Sequence, residues 1–182
     1  MQPAEIVDFW TDAGPARWFA KSLDFDQEIR ARFEATHHAA ARGELEGWAQ
    51  TAPGALALIV LLDQTPRNIY RGSAHAFATD PLARRIACGA LEAGQDRHGA
   101  PGLRPFFYLP FEHSEDIADQ KRSVALFRKA ARETGDEDSL KWALAHLDVI
   151  ERFGHFPHRN LALGRETSEA ERAFLDGGGF AG

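Results

Sequence analysis

The sequence predicts an all-α protein, and three observations support this fold class. Apolar residues recur at three- and four-residue spacing in most segments, which is the pattern of amphipathic helices. Proline, glycine and capping residues separate these segments. A segment of alternating Val, Ile or Thr residues, which a strand would need, does not occur. For a chain of 182 residues we expect a single domain over residues 1–176 and a flexible tail over residues 177–182.

The N-terminal part of the chain predicts three helices. The first covers about residues 4–12 and stops at a glycine–proline pair. The second begins at Asp24, a candidate N-cap, and continues to an arginine–glycine pair. Pro53 suits the first turn of the third helix, in which residues 55–62 are apolar on nearly every side. A helix of that kind is typical of the centre of a core.

The remaining helices are predicted from similar start and stop signals. Asp80, which a proline follows, is the candidate N-cap of the fourth helix, and residues 95–105 form a loop after it. Ser114 is the candidate N-cap of the fifth helix. Acidic residues after Gly135 lead into a long sixth helix. A capping box at Ser168 predicts a short last helix.

Three short segments combine a proline with acidic, basic, amide or imidazole side chains. They are LDQTPRN (62–68), PFEHSED (110–116) and FGHFPHRN (153–160). Each lies at a predicted helix end, and groups at such positions often carry function because rigid elements hold them. We therefore predict that the three motifs form one ligand-binding site. Its candidate residues are Asp63, Gln64, Arg67, Asn68, His113, Glu115, Asp116, Gln120, His158, Arg159 and Asn160.

The residue types in these motifs favour an anionic ligand. The planar guanidinium groups of Arg67 and Arg159 suit carboxylate or phosphate groups. His113 and His158 could adjust to the protonation state of the ligand, and the acidic residues would orient the basic ones. The leading hypothesis is a soluble helical protein that binds a small anionic metabolite or a peptide carboxylate in one polar pocket.

Two alternatives remain open at this point. The first is a hydrolase or transferase whose candidate catalytic residues are His113, Glu115 and His158, with an imidazole as general base and a carboxylate orienting it. The second is a structural scaffold or protein-interaction module, in which the motifs form a polar lock between helix ends. An Asp63–Arg67 ion pair without any ligand would fit that second alternative. The sequence does not decide whether the protein is an enzyme.

Several classes of partner are not expected. A net charge of −6 disfavours nucleic-acid binding, which depends on clustered Lys and Arg. The apolar run over residues 55–62 is shorter than the ~20 residues that span a bilayer, so no membrane association is expected. A lone cysteine, Cys88, and an N-terminus unlike a signal peptide favour the cytoplasm. Zinc-binding spacings are lacking, so neither a metal nor another cofactor is predicted. Aromatic residues expected on the surface, such as Phe180, leave a homodimer possible.

The histidines outside the motifs have simpler interpretations. His146 lies on the apolar side of the sixth predicted helix, and we expect a core histidine with a hydrogen bond rather than a ligand. His37, His38 and His98 are expected at the surface.

Several motifs, taken in order, carry a resemblance to a known family. They are DFW, WF at 18–19, FD at 25–26, GEL with Trp48, LALIVLLDQTPRNIYRG, AFATDPLA, PFFYLPFEHSED with Gln120, HLDVIERFGHFPHRN and LGRETS. Over nearly its whole length the chain resembles the bacterial "domain of unknown function 924" family.

The resemblance implies a fold but no activity. The implied fold is a tetratricopeptide-like array of antiparallel helix pairs around a concave groove, and such grooves commonly bind ligands or peptides. The family more often has Arg at position 155, where this chain has His155. That difference weakens a metal-binding role for His155 and favours an anion-binding motif.

Overall fold

Helices provide the regular structure of the chain, as the sequence predicts. The computed structural model describes residues 1–99 and 102–180, and no β-strand occurs within them. The α-helices are α1 (Pro3–Ala13), α2 (Pro15–Trp18), α3 (Leu23–Ala41), α4 (Ala52–Ile59), α5 (Thr65–Ile69), α6 (Asp80–Glu92), α7 (Leu109–Glu112), α8 (Ile117–Thr134), α9 (Glu137–Phe153), α10 (Asn160–Leu163) and α11 (Glu169–Asp176). Short 3-10 helices lie at Glu46–Gln50, Ala74–Ala76, Gln95–Arg97, Arg104–Phe107 and Pro157–Arg159.

The chain divides into two compact units. Unit 1 comprises Met1–Arg71 and His75–Pro110, and unit 2 comprises Gly72–Ala74 and Phe111–Gly182. The single domain over residues 1–176 and the tetratricopeptide-like arrangement stay predictions. No helix in the described part of the chain is long and apolar enough to cross a membrane.

The centre of unit 1 is α4, as its apolar sequence predicts. Every residue from 54 to 59 is buried, and α1 and α6 pack against this helix. Aromatic side chains from α1 and α3 extend the core: Trp10 and Phe25 lie 6.0 Å apart between ring centroids, and Phe33 is buried near them against Phe9. Burial of such large apolar side chains is the main contribution to the stability of a unit of this size.

A single turn of π-helix, Val60–Gln64, joins α4 to α5. The N–H of Thr65 donates to the carbonyl of Val60, one residue further back than in an α-helix. The first motif, residues 62–68, therefore lies inside a nearly continuous buried helix. The prediction that this motif lies at a helix end is wrong, because the π-turn and α5 continue the helix through Pro66.

Side chains complete the hydrogen bonding of this π-turn. Pro66 has no N–H to offer the carbonyl four residues earlier, and the hydroxyl of Thr79 donates to that carbonyl, Leu62 O, at 2.5 Å. The Nδ1 of His37 lies 2.8 Å from the carbonyl of Leu61. His37 is buried rather than exposed as predicted, because the irregular turn presents a carbonyl that its ring can bind.

Two helices begin a few residues away from their predicted N-caps. Ser22, not Asp24, caps α3 by accepting from a backbone N–H. Asp116, not Ser114, caps α8 and accepts from two N–H groups of the first turn. Ser114 lies just outside that helix, and its hydroxyl accepts from the N–H of Asp116. Each of these sequences contains two residues capable of capping, and only the backbone conformation selects between them.

Unit 2 is built on the antiparallel pair α8 and α9. Gly135 ends α8 at a φ of 79°, the left-handed conformation that favours glycine, and Asp136 caps α9. Val149, Ile150 and Phe156 form the buried core below this pair. The predicted capping box is confirmed, because Ser168 and Glu171 bond reciprocally at the start of α11.

Two predicted irregular segments contain local order. The segment over residues 95–105 begins and ends with the short 3-10 helices named above, and its residues 100 and 101 lie outside the described part. The predicted flexible tail includes Phe180, which is half-buried against unit 2 rather than exposed. Residues 181 and 182 of that tail also lie outside the described part, and its flexibility stays a prediction.

Candidate functional site

The charged side chains of the first motif form an ion-pair network in unit 1. The guanidinium of Arg67 donates to both carboxylate oxygens of Asp80, at 2.7 and 2.8 Å, and lies 3.2 Å from Asp63. Gln64 donates to Asp63 at 2.5 Å. Burial lowers the pKa of Arg67, but Asp63 and Asp80 more than offset it, so the pKa lies above its ordinary value. Asp80 was predicted to cap α6, but Thr79 occupies that position.

A second network binds the end of α5 to α3. Asn68 donates to Asp26 at 2.8 Å, and Arg71 donates to both oxygens of the same carboxylate at 2.6 and 2.9 Å. Neither Asp26 nor Asp80 was among the predicted site residues, because nothing in their own segments indicates such partners. The first motif thus stabilises the packing of α5 in unit 1, and its role in binding a ligand stays a prediction.

The second motif meets the middle of α9 in unit 2. Glu112 and His113 lie at the end of α7, and His146 lies on α9. The Nδ1 of His146 is 3.3 Å from Glu112 Oε1 and 2.8 Å from the carbonyl of Trp142. One donor atom from each of Glu112, His113 and His146 lies within 4.8 Å of the other two. The prediction that His146 is a buried, hydrogen-bonded histidine is confirmed.

The third motif contributes a buried guanidinium to the same place. Arg159, 6 % exposed, donates from Nη1 to the carbonyl of His113 at 3.0 Å. Its guanidinium carbon lies 4.4 Å above the ring of Phe156, a favourable cation–π geometry. His158 is half-buried with its ring 5.6 Å from Phe156. The second and third motifs are therefore in direct contact, and we call Glu112, His113, His146, His158 and Arg159 the histidine cluster.

The electrostatics of His146 reflect this concentration of basic groups. Burial and then the neighbouring His113 lower the pKa of His146 to about 3, although the hydrogen bond to the carbonyl of Trp142 opposes the shift. Arg159 and His158 lower it further. His146 is therefore a neutral imidazole at neutral pH, surrounded by other basic side chains.

Aromatic side chains form one wall of the histidine cluster. The ring of Phe180 lies 4.2 Å from that of His146 and 5.3 Å from that of His158, measured between centroids. Trp142, which is largely exposed, lies 6.3 Å from Phe180. No local signal in the sequence predicts that Phe180, a residue of the expected tail, contacts the third motif.

Two acidic residues of the second motif have structural partners. Arg165 donates to both oxygens of Glu115, at 2.8 and 3.0 Å, and the N–H of Phe156 donates to the same carboxylate at 2.9 Å. Burial raises the pKa of Glu115, but these hydrogen bonds outweigh burial and keep the pKa below its ordinary value. Asp116 is exposed and caps α8. Arg165 was not among the predicted site residues, although the LGRETS segment contains it.

Two buried amides fix the backbone around the histidine cluster. Gln120 is fully buried, and its Nε2 donates at 2.6 Å to the carbonyls of both Glu112 and Ser114. Asn160 is also fully buried, and its Nδ2 lies 3.4 Å from the carbonyl of Glu166 and 3.4 Å from Glu171 Oε2. The expectation that the Gln120 amide finds partners is confirmed. Both side chains position backbone within unit 2.

An open depression elsewhere in unit 2 is lined partly by predicted residues. Glu115 and Asp116 lie in its wall together with Glu151, Lys121 and Ile150. Three carboxylates facing one ammonium group do not favour an anionic ligand. The anion-binding hypothesis therefore depends on the histidine cluster and not on this depression.

The described residues define an all-α protein whose second unit concentrates imidazole, guanidinium and carboxylate groups around one buried histidine. The family model described as "Bacterial protein of unknown function (DUF924)" matches residues 6–179, so the chain belongs to this family, as its motifs predict. The chain is also similar to the solved structure of a protein of unknown function from Agrobacterium tumefaciens. The two are 50 % identical, the match covers 96 % of this chain and 97 % of that one, and the TM-score is 0.91. No curated protein matches the chain.

Proposed function

We propose that this protein binds a small anion, a carboxylate in the first place, at the histidine cluster of unit 2. The observation that carries the proposal is the position of Arg159, a nearly fully buried guanidinium beside the half-buried imidazoles of His113 and His158. A buried cation needs hydrogen-bond or charge partners to offset its desolvation, and Glu115, whose pKa Arg159 helps to lower, supplies part of that charge. A small anion that reaches the two half-buried imidazoles would benefit from this fixed positive charge.

The guanidinium of Arg159 is oriented before any ligand arrives. The carbonyl of His113 accepts from Nη1, and the ring of Phe156 lies against its flat face. A side chain that is already ordered loses little conformational entropy on binding, and this raises affinity. Imidazole N–H groups of His113 and His158 would add hydrogen bonds to the anion. Arg67 has no part in the proposal, because its guanidinium already binds two carboxylates in unit 1.

A second candidate function is acid–base catalysis of a hydrolytic or transfer reaction. It is favoured by the contact between Glu112 and His146 at 3.3 Å, next to His113. In this alternative His113 or His158 would be the general base. Glu115, predicted as the orienting acid, binds Arg165 instead, so that role would pass to Glu112.

Ligand-induced thermal shifts test the binding proposal. The purified protein is freed of metal with a chelator, dialysed into chelator-free buffer and melted with acetate, succinate, citrate, phosphate, sulfate or glycylglycine. Isothermal titration follows any positive result. We expect at least one carboxylate to raise the melting temperature, and we expect Arg159→Gln and His158→Gln to weaken binding by about tenfold or more. Each variant is compared with its own ligand-free form, so a loss of stability does not imitate a loss of binding.

Arg152→Gln is the matched control. Arg152 lies on α9 of the same unit and is half-exposed; it pairs with Asp148 at 3.3 Å and lies over the rings of Phe153 and Phe174, outside the histidine cluster. This variant should bind the anion as the wild type does. The proposal fails if no anion shifts the wild type, or if Arg159→Gln and His158→Gln retain the full shift. If both variants are less stable than the wild type and no anion stabilises the wild type, these residues have a structural role and the protein is a scaffold.

A further inference from the structure

We propose that Glu112, His113 and His146 form a binding site for one divalent transition-metal ion, with zinc as the ion that fits best. One oxygen and two imidazole nitrogens from these residues lie within 4.8 Å of one another. Metal–ligand distances of about 2.0–2.2 Å place the ligand atoms of a tetrahedral zinc site a little over 3 Å apart. Side-chain rotations would have to bring the three ligand atoms, now within 4.8 Å of one another, to about 3 Å apart.

The donor set is specific in its chemistry. Two imidazoles and one carboxylate are the three protein ligands of many catalytic zinc sites, in which a fourth position stays open to water or substrate. The same set also suits ferrous iron. Mg²⁺ and Ca²⁺ favour sites made of oxygen atoms, which a single carboxylate does not provide. Glu112 and His146 are 3 % and 6 % exposed, so this is not a group of acidic residues on an open surface.

Neighbouring groups hold the three ligand residues in place through hydrogen bonds, as the outer-shell partners of metal ligands usually do. The carbonyl of Trp142 can only accept, so Nδ1 of His146 carries the proton at this 2.8 Å contact. Because Nδ1 is also the nitrogen 3.3 Å from Glu112 Oε1, coordination through the unprotonated Nε2 requires the imidazole ring to turn. Gln120 binds the carbonyl of Glu112, and Arg159 binds that of His113. The backbone of both residues is thus fixed before a metal arrives.

The sequence alone gave no sign of this site. Glu112 and His113 are adjacent, whereas His146 comes from a different helix, so no zinc-binding spacing appears in the chain. The metal site shares His113 with the anion site proposed above. An anion could complete the coordination of the metal, but the site requires only the three protein ligands.

Zinc titration of a metal-free protein without a polyhistidine tag tests the proposal. The protein is treated with chelator, dialysed, and titrated calorimetrically with Zn²⁺; a second sample receives Co²⁺, whose visible absorption reports coordination by nitrogen and oxygen ligands. We expect one Zn²⁺ per chain and a Co²⁺ spectrum that Zn²⁺ abolishes and Mg²⁺ does not. His113→Ala should weaken zinc binding by at least about tenfold.

His155→Gln is the control, because His155 lies 2.5 Å from Glu171 and forms with it a second His–Glu pair in the described part of unit 2. Its zinc affinity should equal that of the wild type. His113 is half-buried, so we expect its replacement by Ala to destabilise the fold less than replacement of the buried His146. The Co²⁺ spectrum of the wild type tests metal coordination without any variant. Absence of stoichiometric zinc binding, unchanged affinity in His113→Ala, or loss of the site in His155→Gln would each overturn the proposal. The anion test uses metal-free protein, so the two proposals fail separately.

Discussion

Replacement of Gln120 by Met tests how unit 2 fixes the backbone beneath the histidine cluster. Met has nearly the same volume and removes both 2.6 Å hydrogen bonds to the carbonyls of Glu112 and Ser114. A buried carbonyl left without a donor costs about 1–3 kcal/mol, so two of them predict a loss of about 2–6 kcal/mol. The Oε1 of Gln120 has no hydrogen-bond partner among the described residues, and its removal returns about 1 kcal/mol. The expected net loss is about 1–5 kcal/mol.

Equilibrium unfolding in urea at neutral pH measures this change in the free energy of unfolding. If the slope of that free energy against urea concentration is the same in both proteins, only the stability has changed. Ser123→Ala is the matched control. Ser123 lies on the same helix, is fully buried, and its hydroxyl has no partner in the described part of the chain. Its removal should be neutral or slightly stabilising. The reasoning fails if Gln120→Met costs less than about 0.5 kcal/mol, or if Ser123→Ala costs as much.

Three other predictions concern separate parts of the chain. Thr79→Val should cost about 1–2 kcal/mol in urea unfolding, because Leu62 O loses its donor, whereas Thr79→Ser should cost less. Burial, followed in importance by His38, lowers the pKa of His37 in spite of its backbone hydrogen bond. The unfolded chain then takes up this proton first, so His37 reduces stability as the pH falls below about 6.5, and His37→Gln should flatten the pH dependence of the melting temperature. Phe180→Ala should cost about 1 kcal/mol in thermal unfolding, because a half-buried ring leaves the histidine cluster.

Each of these predictions has a distinct contrary result. Equal stability of the Val and Ser variants at Thr79 would mean that the hydroxyl does not bind the carbonyl of the π-turn. An unchanged pH profile in His37→Gln would mean that His37 titrates in the folded protein as it does in the unfolded chain. A Phe180→Ala variant as stable as the wild type would mean that the tail does not contribute to unit 2.

Helix positions could be predicted because their signals are local. The apolar run of α4, the glycine after α8 and the capping box of α11 each act within a few residues of chain, and all three are present in the structure. Boundaries were less certain wherever two capping residues lay close together, as at the starts of α3 and α8. Pro66 misled the prediction, because proline usually ends a helix and here the π-turn and Thr79 accommodate it.

The sequence by itself determined the all-α class, the family and the identity of the polar motifs, because helical periodicity and motif order are properties of neighbouring residues. Only the tertiary structure decided the partners of those motifs. It paired Arg67 with Asp80, buried Arg159 beside His113, and placed His146 next to Glu112. These pairings depend on how helices distant in sequence pack together, and the spacing of residues along one chain does not contain that information.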